Sequence, residues 1–336
     1  MNILNDLTLN PVAILHPLLQ LFRPLVATNA IERLADAIKA AIDAGYRGLS
    51  VFGFARFGKT QAITYLMEHV NWLAGRTAAL LRVDASEARK RTDRTFYQSL
   101  LATLGVRIPS RAHTDELCSL VMARLIEACQ AAPSDTHLVI LFIDEAQRLL
   151  PTDYENLVSL DNRMTQAGYY LFVVFMQQRD MTGFSNEIVT GSDHPPHITG
   201  RFLIRKHEFT GLQDVSEVAY TLSRYDEFTE WPPGSGISYV RHFAPEVTAN
   251  GFKLAHYADP LWREAANIRA EVRLPSPWTW PMKSFEGVVV HLLTTIIPQT
   301  PNFERFSDED LTEAIRNSGL VELEQSRHTY KPQEVK

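Results

Sequence analysis

Two hydrophobic periods alternate along this chain, and their order predicts most of the fold. Nearly unbroken apolar runs at Gly48–Gly53, Leu138–Ile143 and Tyr169–Met176 leave no polar face, as expected of parallel strands buried on both sides. Residues 78–84 read as a further strand, and residues 201–209 alternate apolar and polar positions as a strand does. Between the runs the spacing changes to three and four. Apolar residues at 31, 34, 35, 38, 41 and 42 predict an amphipathic helix that starts from Asn29 as its cap and ends before Gly45. Helices are also expected after the first strand (61–67), from about Thr92 with Phe96, Leu100 and Leu104 turned inward, over Thr114–Ala131, and from Pro151 to Gln166. Strands separated by helices predict an α/β fold, a doubly wound parallel sheet of five strands. From Gly211 the strand signals fade and helical ones take over, interrupted at Trp231–Gly236 and Pro275–Pro281. The expected layout is a proline-punctuated arm (1–30), an α/β domain (31–212), a helical lid domain (213–324) and a flexible polar tail (325–336).

Composition narrows this picture only a little. A length of 336 residues favours two domains, and 45 % hydrophobic with 21 % charged residues supplies an ordinary globular core. The formal charge of −6 argues against a chain that coats nucleic acid with its whole surface, yet leaves room for a local basic strip. Cys118 and Cys129 fall on one apolar helix face eleven residues apart, so they cannot pair, which suits a reducing cytoplasm without structural zinc. Pro11, Pro17 and Pro24 cut the first apolar stretch, and Val288–Ile297 is too short to span a bilayer. The expectation is a cytoplasmic chain with no membrane segment.

The chemistry lies at the ends of two predicted strands. Gly53-Phe54-Ala55-Arg56-Phe57-Gly58-Lys59-Thr60-Gln61 contains G-x-x-x-x-G-K-[ST] between a strand and a helix. That is the order a phosphate-binding loop needs, because backbone N–H groups must surround a phosphate at the positive end of the following helix. Gly53 and Gly58 would give the backbone room, Lys59 would supply charge to the β- and γ-phosphates of ATP, and the Thr60 hydroxyl would ligate Mg²⁺. The buried strand Leu138–Ile143 ends in Asp144-Glu145. Asp144 would hold Mg²⁺ through water, and Glu145 would orient or deprotonate the water that attacks the γ-phosphate. A strand between the loop strand and the acid strand, residues 78–84, marks the branch of P-loop ATPases that carries such a catalytic Glu.

These residues together resemble an AAA+ ATPase. The loop and the run Leu141–Leu149 more narrowly resemble transposition regulators of the TnsC/TniB type, with Arg56 in the loop and Asp144-Glu145-Ala146-Gln147 as the nearest points; Tyr239–Leu254 also looks like that family. The resemblance implies an ATPase that forms homo-oligomeric rings or filaments on double-stranded DNA and links a target-selecting protein to a transposase, in some cases for CRISPR-associated elements. Alternatives are a nucleotide-locked scaffold that hardly hydrolyses and a replication-linked ATPase. By the same resemblance Gln177, or Gln178, falls at sensor 1, Arg201 (or Arg205) at the arginine finger, and Arg269 (or Arg263) at sensor 2. Arg56 departs from the family's glycine, and glutamine at sensor 1 departs from its usual Asn, Thr or Ser. The cluster Arg89, Lys90, Arg91 and Arg94 would then be a DNA phosphate strip rather than solvated surface charge, with Arg91 and Arg94 on the helix face opposite Phe96 and Leu100.

Overall fold

A computed structural model describes residues 15–21, 23, 25–87, 91–109, 111–134, 136–179 and 194–329. Five strands, β1 (Gly48–Gly53), β2 (Ala79–Asp84), β3 (Leu138–Asp144), β4 (Tyr170–Gln178) and β5 (Lys206–Glu208), form one parallel sheet in the order β2-β3-β4-β1-β5. The interior strand β3 is buried at every residue, which accounts for its unbroken apolar sequence. Alternate residues serve different layers. Leu49, Val51, Ile140, Phe142, Phe172 and Val174 pack with α1 (Asn29–Asp43) and α2 (Lys59–Glu68). Leu141, Ile143, Val173 and Phe175 pack on the other face with α3 (Asp93–Thr103), α4 (Thr114–Gln130) and α5 (Pro151–Gln166). The sheet is therefore wound on both faces, as the sequence predicts.

Several local readings change. The cap of α1 is Thr28, whose hydroxyl accepts from the Ile31 N–H at 3.3 Å, rather than Asn29. The strand expected over 201–209 is confined to Lys206–Glu208, and residues 199–203 form a helical turn. Ile198, Phe202 and Leu203 are all buried at helical spacing there, and the two-residue alternation is coincidental. The segment expected to be a flexible tail is helical as far as it is described.

Contacts divide the chain into two units. One comprises Thr28–Gln213, Ser276–Lys283 and the chain from Glu322, and contains the sheet. Within it Leu212 and Trp280 form an antiparallel bridge, and a Cβ on Gly211 would lie 2.2 Å from the Trp280 carbonyl oxygen, so glycine is required for that approach. The other unit gathers Asp214–Pro275 and Ser284–Val321 with the chain before Thr28. Its main helices are α6 (Val215–Glu227), α7 (Ala258–Glu271), α8 (Met282–His291) and α9 (Asp308–Asn317), and α10 (Leu320–Thr329) follows. No helix among the described residues is long and apolar enough to cross a membrane. Cys118 and Cys129 are buried free thiols on α4.

Candidate functional site

The parallel sheet brings the C-terminal ends of β1 and β3 to one edge, and the loop residues and acids meet there. Gly58 has φ +98°, a left-handed conformation that its missing Cβ permits, and it caps α2 without a side chain. The N–H groups of the first turn are thus left to an anion rather than to a capping oxygen. Gly53 serves a different purpose from the one expected. A Cβ there would sit 2.3 Å from the Phe209 carbonyl oxygen, so this glycine allows the chain after β5 to pass close to β1. Arg56 has φ +67°, a conformation glycine adopts without penalty, which explains why its position is glycine in the usual pattern.

Lys59 turns back onto the loop, donating to the carbonyls of Gly53 at 2.7 Å and Phe54 at 2.8 Å. Burial lowers its pKa to about 8, against the opposing pull of Asp144 and Glu145, and the positive charge of Arg327 lowers it further. The amine is charged below about pH 8, and a bound anion would extend that range upward. The Thr60 hydroxyl donates to Asp144 Oδ2 at 2.8 Å, and Asp144 is 2 % exposed. A hydroxyl and a carboxylate side by side are hard oxygen donors suited to Mg²⁺, which takes few protein ligands and completes its shell with water and phosphate. The described residues contain no cluster of three or more His, Cys, Asp or Glu suited to a metal.

Three further residues join the site, and the sequence assigns none of them a contact there. Arg82 donates to Asp144 Oδ2 at 3.1 Å and to Asp84 at 2.8 Å, so one guanidinium bridges the two acids. Gln147 donates from Nε2 to Glu145 Oε2 at 2.8 Å, while its Oε1 accepts the Gln178 N–H at 3.0 Å. One amide thereby ties the candidate base to the tip of β4. Arg327 donates to the Ala55 carbonyl at 3.1 Å. Glu145 itself has φ +55°, an unusual conformation for a residue with a side chain, and Arg148 lies 3.5 Å from its carboxylate. The parity of β4 turns Gln177 to the α3–α5 layer, away from α2. Gln177 is 1 % exposed, and its amide has no partner among the described residues. The geometry does not support Gln177 as the sensor residue; Gln178 supplies the contact through its backbone.

The arginines assigned by position are occupied elsewhere. Arg201 lies in the helical turn, bonded to Asp161 at 2.9 Å and Asn162 at 2.7 Å. Asp161 is buried and its pKa is raised by desolvation, against the pull of Arg47 and Arg201, so the guanidinium compensates a buried carboxylate of its own chain. Its assignment as a finger toward a neighbouring subunit draws no support from these bonds, which lie within one chain. Arg205, the substitute, lies 5.3 Å from the Tyr46 ring centroid. Arg269 is 4 % exposed and donates to the Pro275 carbonyl at 2.9 Å inside the helical unit; Arg263 is exposed, 3.8 Å from Asp259.

The basic strip also divides. Arg89 and Lys90 lie outside the described residues, and Arg94 is exposed on α3. Arg91 precedes the helix, because Thr92 is the cap, and its side chain is only 5 % exposed, paired with the buried Asp153 at 2.7 Å. Arg91 is therefore a structural cation, not a surface contact for DNA. In the nearby His194–His197 segment, His194 packs on Tyr154 and His197 bonds Glu155 at 3.0 Å.

Residues 42–182 match the family described as "AAA domain". No curated protein sequence matches the chain. Solved structures with a similar chain path include the Aeropyrum pernix ORC1 protein in complex with DNA, at 16 % identity, 91 % of this chain, 86 % of that chain and a TM-score of 0.40. The E. coli MS115-1 HORMA:CdnC:Trip13 complex contains another, at 14 % identity, 85 % and 86 % coverage and a TM-score of 0.44. The Walker-type ATPase PABY2304 of Pyrococcus abyssi is a third, at 15 % identity, 72 % and 74 % coverage and a TM-score of 0.38. At these scores the neighbours carry no argument about what this chain binds. The family match and the sheet order agree that residues 42–182 form an AAA-type P-loop domain.

Proposed function

We propose that this chain binds and hydrolyses ATP with Mg²⁺, and that its ATP state assembles as a homo-oligomer on double-stranded DNA to regulate transposition, between a target-selecting protein and a transposase. The observation that carries the ATPase reading is the contact of Thr60 with Asp144 at 2.8 Å, which joins the phosphate loop to the acid strand at one point. In this reading the first-turn N–H groups of α2 and the Lys59 ammonium bind the β- and γ-phosphates. Thr60 and Asp144 would hold Mg²⁺, which neutralises phosphate charge when bound. Glu145 takes the proton of the attacking water, and Gln147 fixes the direction of its carboxylate.

The DNA and transposition parts rest on the loop containing Arg56 and on the Asp144-Glu145-Ala146-Gln147 run. The second member of that run now has a defined neighbour, since Gln147 holds Glu145. Arg94, with Arg89 and Lys90, is the candidate DNA contact. The Gln147 and Arg148 contacts to Glu145 also favour a second reading, in which the acid is held off the water and the protein is an ATP-locked scaffold. ATP turnover measured with and without double-stranded DNA tests both. DNA-stimulated turnover together with ATP-dependent retention of DNA supports the first reading. ATP-dependent retention without turnover leaves the scaffold, and retention indifferent to nucleotide removes the coupling altogether.

A further inference from the structure

The phosphate loop contains two aromatic residues where small ones would suffice, and a cation from 272 residues away lies over them. Phe54 and Phe57 meet edge to face with ring centroids 5.7 Å apart. The Arg327 guanidinium carbon is 4.6 Å from the Phe57 centroid and 5.6 Å from that of Phe54, both within cation–π range. On its other side Phe54 faces Arg179 at 5.4 Å, a guanidinium already matched by Glu208 at 2.9 Å. Arg327 belongs to α10, and both it and the loop lie in the sheet-containing unit.

We propose that Arg327 is a second cation of the phosphate site, held over the loop by Phe54 and Phe57, and that it binds the polyphosphate of the nucleotide together with Lys59. The inference rests on the loop being a nucleotide site, as proposed above. Three observations support it. The bond from Arg327 goes to a loop carbonyl, the group a phosphate does not use, so the guanidinium leaves the N–H cradle unobstructed. The Lys59 ammonium bonds the carbonyls of Gly53 and Phe54, next to the Ala55 carbonyl that Arg327 bonds, which places two like charges on one loop. A polyanion there converts their repulsion into shared attraction, and a planar guanidinium held on ring faces loses little freedom when it forms charge-assisted bonds.

The test compares wild type, Lys59→Ala, Arg327→Ala and Arg327→Lys for equilibrium binding of ATP, inorganic tripolyphosphate and adenosine. Arg327→Ala is expected to weaken ATP and tripolyphosphate by about 10-fold each, the effect of one charge-assisted bond, and to leave adenosine unchanged. Arg327→Lys keeps the charge and the stem, and should recover part of the loss. If wild type and Lys59→Ala bind ATP equally, the nucleotide-site reading fails and this inference with it. If only Lys59→Ala loses ATP while Arg327→Ala binds as well as wild type, or more tightly, the site stands and the role of Arg327 is overturned. Should Arg327→Ala melt early, Arg327→Lys decides: affinity restored toward wild type supports the charge, and affinity as low as that of a neutral Arg327→Gln opposes it.

Discussion

The two faces of the sheet treat charge in opposite ways. At the strand tips above α2, Lys59, Thr60, Asp144 and Glu145 bond mainly to backbone carbonyls, to one another and to neighbouring polar side chains, an arrangement that an incoming phosphate and metal can reorganise. On the α3–α5 face, Arg91 and Arg201 are each bound to a buried aspartate, Asp153 and Asp161, and their charge is spent on holding helices in place. Acids and cations therefore serve chemistry at the strand tips and architecture on the other face.

The largest expected effect sharpens the first half of that contrast. Glu145→Gln keeps the shape of the side chain and its reach to Gln147 but cannot accept a proton, so turnover should fall by about 10²- to 10⁴-fold while ATP binding persists. Steady-state hydrolysis beside equilibrium binding checks this, and unchanged hydrolysis would remove Glu145 from the mechanism. On the other face, Arg91→Ala should leave Asp153 buried without its cation, at a cost of about 3–5 kcal/mol of stability by denaturant unfolding. Desolvation already raises the Asp153 pKa, against the pull of the Leu150 N–H and Arg91, so the variant's acid should protonate more readily still. Wild-type stability with weakened DNA binding would instead return Arg91 to the basic strip.

The local parts of this arrangement were legible in the sequence. Gly58, Lys59 and Thr60 sit on one strand-turn-helix, and Asp144-Glu145 closes one apolar strand, so adjacency along the chain is adjacency in space. The remainder depends on pairs that leave no local period: Arg91 with Asp153 across 62 residues, Gln178 with Gln147 across 31, and Arg327 with Ala55 across 272. The helical face drawn from about Thr92 does not extend back to Arg91; with Thr92 as cap, Arg91 precedes the helix and turns inward. Ile198, Phe202 and Leu203 did carry a helical signal, but the apolar and polar alternation across 201–209 masked it.

The pH response gives a smaller effect of definite sign. Below about pH 8, Lys59 is charged in both folded and unfolded chains, and its burial cost is fully present. Between about 8 and the model-peptide value near 10.4, the unfolded chain keeps the proton that the folded chain has lost, so this group adds stability as pH rises. Phosphate binding runs the other way, because it needs the ammonium. ATP affinity should be level below about pH 8 and fall by up to tenfold per unit above it, and a titration series across that range that stays flat would mean Lys59 is not the phosphate cation.

Smaller again is the effect of the tether between the acid and β4. Gln147→Ala removes both the bond to Glu145 and the bond from the Gln178 N–H, so turnover should fall by about tenfold, with ATP binding unchanged and a stability loss of about 1 kcal/mol. If turnover rises instead, Gln147 restrains the acid, and the scaffold reading gains ground.

The most direct test of the account is a calorimetric titration of ATP with Mg²⁺ into wild type and Lys59→Ala, with folding of the variant checked by its melting curve. The account predicts saturable binding to wild type and a loss of about 100-fold or more in the variant, since the ammonium is the loop's own contact to two phosphates. Equal affinity in two folded proteins would contradict it, and would mean that the meeting of Thr60 with Asp144 is not a nucleotide site.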